Sequence, residues 1–186
     1  RASRVRASPA YPGLAAGQGW RLPERLNMAT EVCDRWAEAE PDRPAILEPG
    51  AGEVATTTYG ELRAMADALR RALAERGVGR GDRVGVLRTQ SPWTAAAHIA
   101  IWKLGAISVP LFVLFGDRAL SERLGDSGAR AVVADPESAP RLSELAADLP
   151  APGDVLVPEE MGLALDGPPL LPAATGPEDP AVLIYT

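Results

Sequence analysis

At 186 residues, the chain has the length of one ordinary domain with a real core. A hydrophobic share of 46% excludes a disordered tail, and a net charge of −6 without a strong basic cluster argues against nucleic-acid binding. One cysteine, Cys33, and one histidine, His98, exclude an intrachain disulfide scaffold and a Cys/His zinc cluster. Arg1, Arg4 and Arg6 read as a solvated tail, and Lys103 is the single lysine among 19 basic residues. The first residues show no initiator Met and no apolar signal core, so the expectation is a cytoplasmic chain without an export signal.

Residues 1–26 read as an irregular segment rich in Arg, Ala, Gly and Pro. Asn27 caps a helix over Met28–Ala39, with Val32 and Trp36 one turn apart on its apolar face. Ala45–Glu48 and Val54–Thr57, separated by Pro49-Gly50-Ala51-Gly52, form an antiparallel hairpin. Thr58-Tyr59-Gly60-Glu61 fits a capping box, and Leu62, Met65, Leu69 and Leu73 make one stripe on the helix behind it, which Gly77 stops. Arg83–Leu87 is a strand. Ser91-Pro92 opens a helix to about Leu104, apolar almost all round and so buried on more than one side.

The stretch from Trp93 to Phe115 holds one full charge and is long enough to cross a bilayer. Gly105 as a helix stop, the β-like run after it and Pro110 favour a buried helix feeding a buried strand, Ala106–Val109. An apolar loop, Pro110–Gly116, follows; its Phe and Leu side chains are expected to avoid water, either plugging the core or bordering a ligand pocket at the carboxyl end of a strand. Next come a helix near 118–124, a strand at Ala131–Ala134, a helix over Ser138–Leu149, a short strand at Val155–Val157, a long connection over 158–179 with a turn near Met161, and a buried strand at Ala181–Tyr185. Strands alternating with helices predict an α/β fold: a largely parallel sheet flanked by helices, with the small hairpin near the start.

Several tempting motifs are set aside. Gly77-Val78-Gly79-Arg80-Gly81 follows a helix and precedes a strand, the reverse of a phosphate-cradling loop, so it reads as a turn. No Gly-x-Ser-x-Gly elbow exists, and His98, midway along an apolar helix, reads as a satisfied, buried or half-buried histidine. Asp34 and Glu31 beside Cys33 raise its pKa and keep it unreactive. Glu159-Glu160 and Glu178-Asp179 read as solvated loop acids.

Five stretches, taken in order, resemble acyl-CoA synthetases of the adenylate-forming superfamily. Asn27-Met28-Ala29-Thr30-Glu31-Val32-Cys33-Asp34-Arg35-Trp36 resembles their opening helix, and Thr57-Thr58-Tyr59-Gly60-Glu61-Leu62 their T-Y-x-E-L element. Gly79-Arg80-Gly81-Asp82-Arg83-Val84 is similar to the G-D-R-V turn and strand. Lys103–Leu111 is similar to the G-A-x-x-V-P-L strand, with Leu114-Phe115-Gly116 as in the short- and medium-chain group. Leu183-Ile184-Tyr185-Thr186 resembles the strand leading into the T-S-G-T-T-G-x-P-K-G phosphate loop.

The resemblance implies a two-step ligase in which a carboxylate is adenylated with ATP and Mg²⁺ and the acyl group is then passed to coenzyme A. It implies that residues 27–186 are a partial amino-terminal domain cut before the phosphate loop, inactive alone. Of the site residues, it carries over Thr186 as the start of that loop and Leu114 as part of the segment on the coenzyme A side; it carries over no catalytic residue and no metal ligand. Two alternatives stand beside it: part of an adenylation domain that loads a carrier protein, and a stand-alone α/β binding domain that uses the apolar loop as its contact surface.

Overall fold

The structure, a computed structural model, describes residues 22–50, 52–146 and 154–186. The irregular start through residue 21, Ala51 of the hairpin turn and the end of the helix expected over Ser138–Leu149 lie outside the described residues.

Asn27 caps the first helix as expected: its Oδ1 accepts the Ala29 amide at 2.9 Å, while its Nδ2 donates to Trp102 O and Ala173 O. A π-helical turn, Thr30–Asp34, runs into α1, Arg35–Ala39. The buried face is not Val32 and Trp36. Ala29, Cys33 and Ala37 face inward, because small side chains let this helix lie close to its neighbours. Trp36 lies instead between the Arg35 and Arg43 guanidinium groups, at 5.0 and 4.5 Å, and tilts against Tyr59.

β1 (Pro44–Pro49) and β2 (Val54–Thr58) pair antiparallel as the expected hairpin. The capping box at the start of α2 (Tyr59–Glu75) forms in full: Glu61 N–H donates to Thr58 Oγ1 at 3.2 Å, and Thr58 N–H donates to the Glu61 carboxylate at 2.8 Å. Gly77 ends the turn after α2 at φ +76°, a conformation that favours glycine.

β3 (Arg83–Leu87), β4 (Ile107–Leu111), β5 (Ala131–Ala134) and β6 (Asp154–Leu156) form one parallel sheet in the order β4-β3-β5-β6. α3 (Pro92–Lys103), α4 (Asp117–Ser127) and α5 (Ala139–Ala146) connect successive strands. Ser91 holds the cap position of α3 with Pro92 first in the helix, but the Ser91 hydroxyl pairs with Thr94 Oγ1 rather than with a backbone amide. Pro110 and Leu111 belong to β4, so the apolar loop is shorter than expected and spans Phe112–Gly116.

Successive strand residues face opposite sides, so the sheet has two cores. Val84, Val86, Ala131 and Val133 pack against Leu69 and Leu73 of α2 and Ala97 and Ile101 of α3. Leu87, Val109, Val132 and Ala134 pack against Leu120 and Leu124 of α4 and Leu142 of α5. Burying Leu69 or Leu73 completely stabilises the fold by about 1.5–3 kcal/mol each. At Gly85 of β3 a Cβ would stand 3.2 Å from side-chain carbons of Leu111, Leu124 and Val132, so only glycine lets α4 settle this close. A third cluster, with Ala29, Cys33, Leu62, Ala66, Ala96 and Ile99, joins the first helix to the outer sides of α2 and α3.

After β6 the chain makes a short 3₁₀ turn, Pro158–Glu160, and becomes a strap that crosses from one edge of the sheet to the other. Met161 and Leu163 pack on the first core, Ala173 N–H donates to Lys103 O at 2.8 Å, and Arg80 forks onto Asp179 with both bonds at 2.9 Å. Asp179, expected to be a solvated loop acid, is therefore paired; the Gly176 amide and Arg80 hold its carboxyl below the usual range.

The strap delivers Ala181–Leu183 to the free edge of β4. Ser108 N–H donates to Ala181 O at 3.0 Å and Leu183 N–H donates to Ser108 O at 2.9 Å, a parallel bridge. The expected strand is reduced to this single bridge. Val182, Leu183 and Ile184 are exposed rather than buried, while Tyr185 packs, partly buried, on the second core.

Candidate functional site

In a sheet ordered β4-β3-β5-β6, the connection after β3 leads to the β4 edge and the one after β5 to the β6 edge, so the strand order switches between β3 and β5. Open α/β sheets bind ligands outside the carboxyl ends of the strands at such a point. Here the crevice holds Arg88 and Thr89 after β3 and Asp135 after β5.

Asp135 ties the two turns together. Its Oδ2 accepts the Thr89 amide at 3.1 Å and its Oδ1 accepts the Ser138 amide at 2.9 Å, at the start of α5. Burial pushes this carboxyl up, but the bonds from Ser138 and Thr89 and the nearby Arg88 charge outweigh it and leave the pKa below its ordinary value. Arg88 lies across the crevice. Its guanidinium donates to Ala134 O and forks onto the Glu159 carboxylate, one of those bonds being 3.2 Å, while its Nε is buried with no acceptor. The Arg88 side chain is 2% exposed and that of Glu159 36%. Glu159, read from the sequence as a solvated acid, is the partner of a buried cation. Arg88 and Glu159 thus occupy the crevice, and among the described residues the cation there, Arg88, is already engaged.

The depressed pKa has a testable sign. Above about pH 3.8, where the unfolded carboxyl is ionised, Asp135 gives its full stabilisation, which is lost as pH falls through the lower folded value. Asp135→Asn keeps one acceptor and loses the charge, so it is expected to cost about 1–2 kcal/mol at pH 7. Urea unfolding from pH 7 down to pH 3 should show that deficit shrinking as pH drops below the unfolded value. A deficit constant with pH would remove the charge from the explanation.

On the other side of the first turn of α3, His98 borders an open groove of about 690 Å³ with Leu47, Gln90 and Thr94. Its ring stacks on Trp102, 5.7 Å between centroids, and burial lowers its pKa. Contrary to the sequence reading, the histidine is not satisfied: Nδ1 is buried without a hydrogen-bond partner. Cys33 behaves as expected, its thiol pushed up to about 12 by burial and then by Asp34.

In the sequence Lys103 is a single charge in an apolar stretch and the first residue of the stretch resembling the G-A-x-x-V-P-L strand; in the structure it is the centre of a buried ion group. Its Nζ lies 2.6 Å from Asp67 and 2.7 Å from Asp34, with the lysine side chain 1% exposed. Asp67 also accepts the Leu170 amide at 3.3 Å, so the group joins the first helix, α2, α3 and the strap. A lone lysine in a chain otherwise basic through arginine was the only sequence signal for it. Among the described residues, no helix is long and apolar enough to cross a membrane.

The two residues carried over by resemblance stand apart. Leu114 is 78% exposed and Phe112 is 56% exposed, against the expectation that the loop would avoid water. Past Leu111 the chain turns, with Phe115 N–H donating to Phe112 O at 2.9 Å, and the turn lays Val113 and Phe115 on the second core while Phe112 and Leu114 face out. Thr186 is exposed. Among the described residues no hydrogen bond, ion pair or ring contact joins Leu114 to Thr186. None groups three or more His, Cys, Asp or Glu side chains to hold a metal ion. With the crevice occupied and its cation paired, these residues do not fit a magnesium–triphosphate group by themselves.

The family model for AMP-binding enzyme matches residues 33–186. The chain is 35% identical over 171 residues to a 3-hydroxybenzoate–CoA ligase of Aromatoleum sp. (strain CIB), covering 87% of this chain and 32% of the relative. It thus spans about a third of the length of that curated relative. In structure it is similar to a Mycobacterium tuberculosis fatty acyl CoA synthetase, with TM-score 0.72 and 27% identity over 86% of this chain and 32% of that one. It is likewise similar to a nonribosomal peptide synthetase, FmoA3, in its α-methyl-L-serine-AMP bound form, with TM-score 0.72 and 28% identity over 88% of this chain and 17% of that one. Matched by one family along most of its length and similar in fold to these solved structures, the chain belongs to the AMP-binding enzyme family.

Proposed function

We propose that this chain forms the amino-terminal part of an ATP-dependent acid–thiol ligase that activates a carboxylate as its adenylate and passes the acyl group to coenzyme A. The observation that carries the reading is the Ala181–Leu183 segment, which bridges to Ser108 of β4 in the same direction within the stretch that the family matches, residues 33–186. In this reading residues 27–186 are a partial domain, Thr186 opens the loop that holds the phosphates, and Leu114 lies on the coenzyme A side. In this reading ATP with Mg²⁺ would be held by cationic and amide groups in chain beyond Thr186, where it would provide the adenylyl group and a pyrophosphate leaving group. The 186 residues alone are then inactive. The cytoplasm is the compartment this reading assigns.

The likeness to the nonribosomal peptide synthetase favours a second reading, in which a carrier-protein thiol is the acceptor. Both predict that the gene product read past codon 186 releases AMP and pyrophosphate with an acid from a panel of short aliphatic, medium-chain and aromatic acids. The first predicts that coenzyme A speeds AMP release and is acylated, the second that it does not. Thioester made by the 186-residue chain itself would overturn the inactivity. A stop codon directly after Thr186, or an extended product silent with every acid, would overturn the ligase.

A further inference from the structure

The segment that closes the described chain is held in an unusual way. Its apolar side chains do not anchor it, since Val182, Leu183 and Ile184 are all exposed. Polar and ring contacts from both sides of the sheet hold it instead. From the α3 side, Trp102 Nε1–H donates to Ala181 O at 2.9 Å and Ser108 of β4 bonds on either side of Val182. From the α4 side, Tyr185 O–H donates to Asp126 Oδ2 at 2.7 Å. The Arg123 guanidinium carbon lies 4.3 Å from the Phe115 ring centre and 5.7 Å from that of Tyr185. Arg123 Nε is buried with no acceptor, and one of its other nitrogens donates to Ala119 O of its own helix, so the guanidinium faces serve the two rings rather than an acid. Phe115 in turn meets Phe112 edge-on at 5.8 Å, which links the clamp to the exposed loop carrying Leu114.

We propose that Arg123 and Asp126 are positioning residues: together with Phe115 they clamp Tyr185, and so fix where the chain at Thr186 is presented and couple that point to the Phe112–Gly116 loop. Cation–π contacts and exposed hydrogen bonds are individually modest, and two of them acting on one ring give direction without adding a core. Such an anchor suits a segment that must be aimed yet need not be buried. The catalytic consequence rests on the ligase reading above, in which the residues after Tyr185 meet the phosphates; the clamp itself does not.

The test therefore has two readouts. In the 186-residue chain, the amides of Leu183 and Ser108 report docking by hydrogen exchange, because both bond across the bridge. Arg123→Met, Asp126→Asn and Tyr185→Phe are each expected to speed exchange at Leu183 by about fivefold or more, with the melting temperature nearly unchanged. Asp126→Asn and Tyr185→Phe should not add when combined, and Arg123→Lys should restore much of the protection. Exchange at Leu183 unmoved by all three single variants overturns the clamp.

In the extended gene product the same variants are expected to raise KM for ATP about five- to twentyfold while leaving KM for the acid near its parent value. A purely structural lesion would lower the active fraction and leave both KM values alone. If exchange quickens but KM for ATP stays fixed in an active extended enzyme, the positioning role falls and the ligase reading stands. If the unmutated extended protein releases no AMP, the ligase reading falls, and the clamp is decided by the exchange data alone.

Discussion

Lys103→Met is expected to lower the stability of the chain by about 3–5 kcal/mol, seen as a drop of roughly 6–20 °C in Tm. Among the described residues the lysine is the only cation within ion-pair distance of two acids that are themselves largely withdrawn from water, Asp67 and Asp34. Methionine fills similar volume, so the cost is not a cavity. It is the exposure of two carboxylates to each other in a low-dielectric site with nothing between them. Asp34 already shows the strain: burial raises its pKa, and the Lys103 contact only partly offsets that.

The sign of the pH dependence follows. A carboxyl whose folded pKa is raised contributes stability when protonated, and that stability is lost as pH rises through the folded value. The Lys103→Met deficit should therefore shrink as pH is lowered from 7 toward 4, the same trend as Asp135→Asn but for the opposite reason. Neutralising all three positions, as Lys103→Met with Asp34→Asn and Asp67→Asn, should recover a large part of the loss at pH 7. Equilibrium urea unfolding of the single and triple variants decides it. A Lys103→Met deficit under about 1 kcal/mol would show that the triad is not held against solvent.

The second large effect is at the switch-point crevice, where order matters more than size. Removing Glu159 strands the buried Arg88 charge, whereas removing Arg88 strands an acid that reaches solvent. A fully enclosed pair broken on one side costs about 3–5 kcal/mol; since water can reach where Glu159 stood and Ala134 O still accepts, Glu159→Ala is expected to cost about 1–3 kcal/mol. Arg88→Met removes the buried cation together with its orphaned Nε, and is expected to lie within about 1 kcal/mol of the parent. Melts of the two variants in one buffer give the ranking. If Arg88→Met proves the worse of the pair, the cation is not a burden to be neutralised but a strut, and the account of the crevice given above is wrong.

How much was legible follows the range of the interactions. The Thr58–Glu61 capping box closes within one helical turn, so its residues announce it. The Leu62–Leu73 stripe, the glycine stop at Gly77 and the apolar strands at 83–87 and 131–134 are likewise written in spacing of two to four residues. The outward pose of Phe112 and Leu114 was not available: it follows from a turn closed by Phe115 N–H on Phe112 O, and an apolar stretch reads equally as a core plug or as the border of a pocket. The Lys103 group was not available: its carboxylates stand 69 and 36 positions earlier, and nothing local distinguishes Asp34 or Asp67 from a surface acid. The pairing of Arg88 with Glu159 spans 71 positions and is hidden for the same reason.

The sequence by itself determined the alternation of strands and helices, their boundaries to within a few residues, the parallel sheet, and the likeness to adenylate-forming enzymes, because each depends on short-range periodicity or on the order of compact motifs. Only the tertiary structure decided which acids are paired, that the switch-point crevice is closed by Arg88, that His98 keeps an unmet ring nitrogen, and that the last segment is gripped at its ring and backbone rather than buried. These depend on which distant groups share a volume from which water is excluded. In that volume a charge must find a partner or be neutralised, a carboxylate by taking up a proton and an ammonium by giving one up, and no local pattern records the partner it finds.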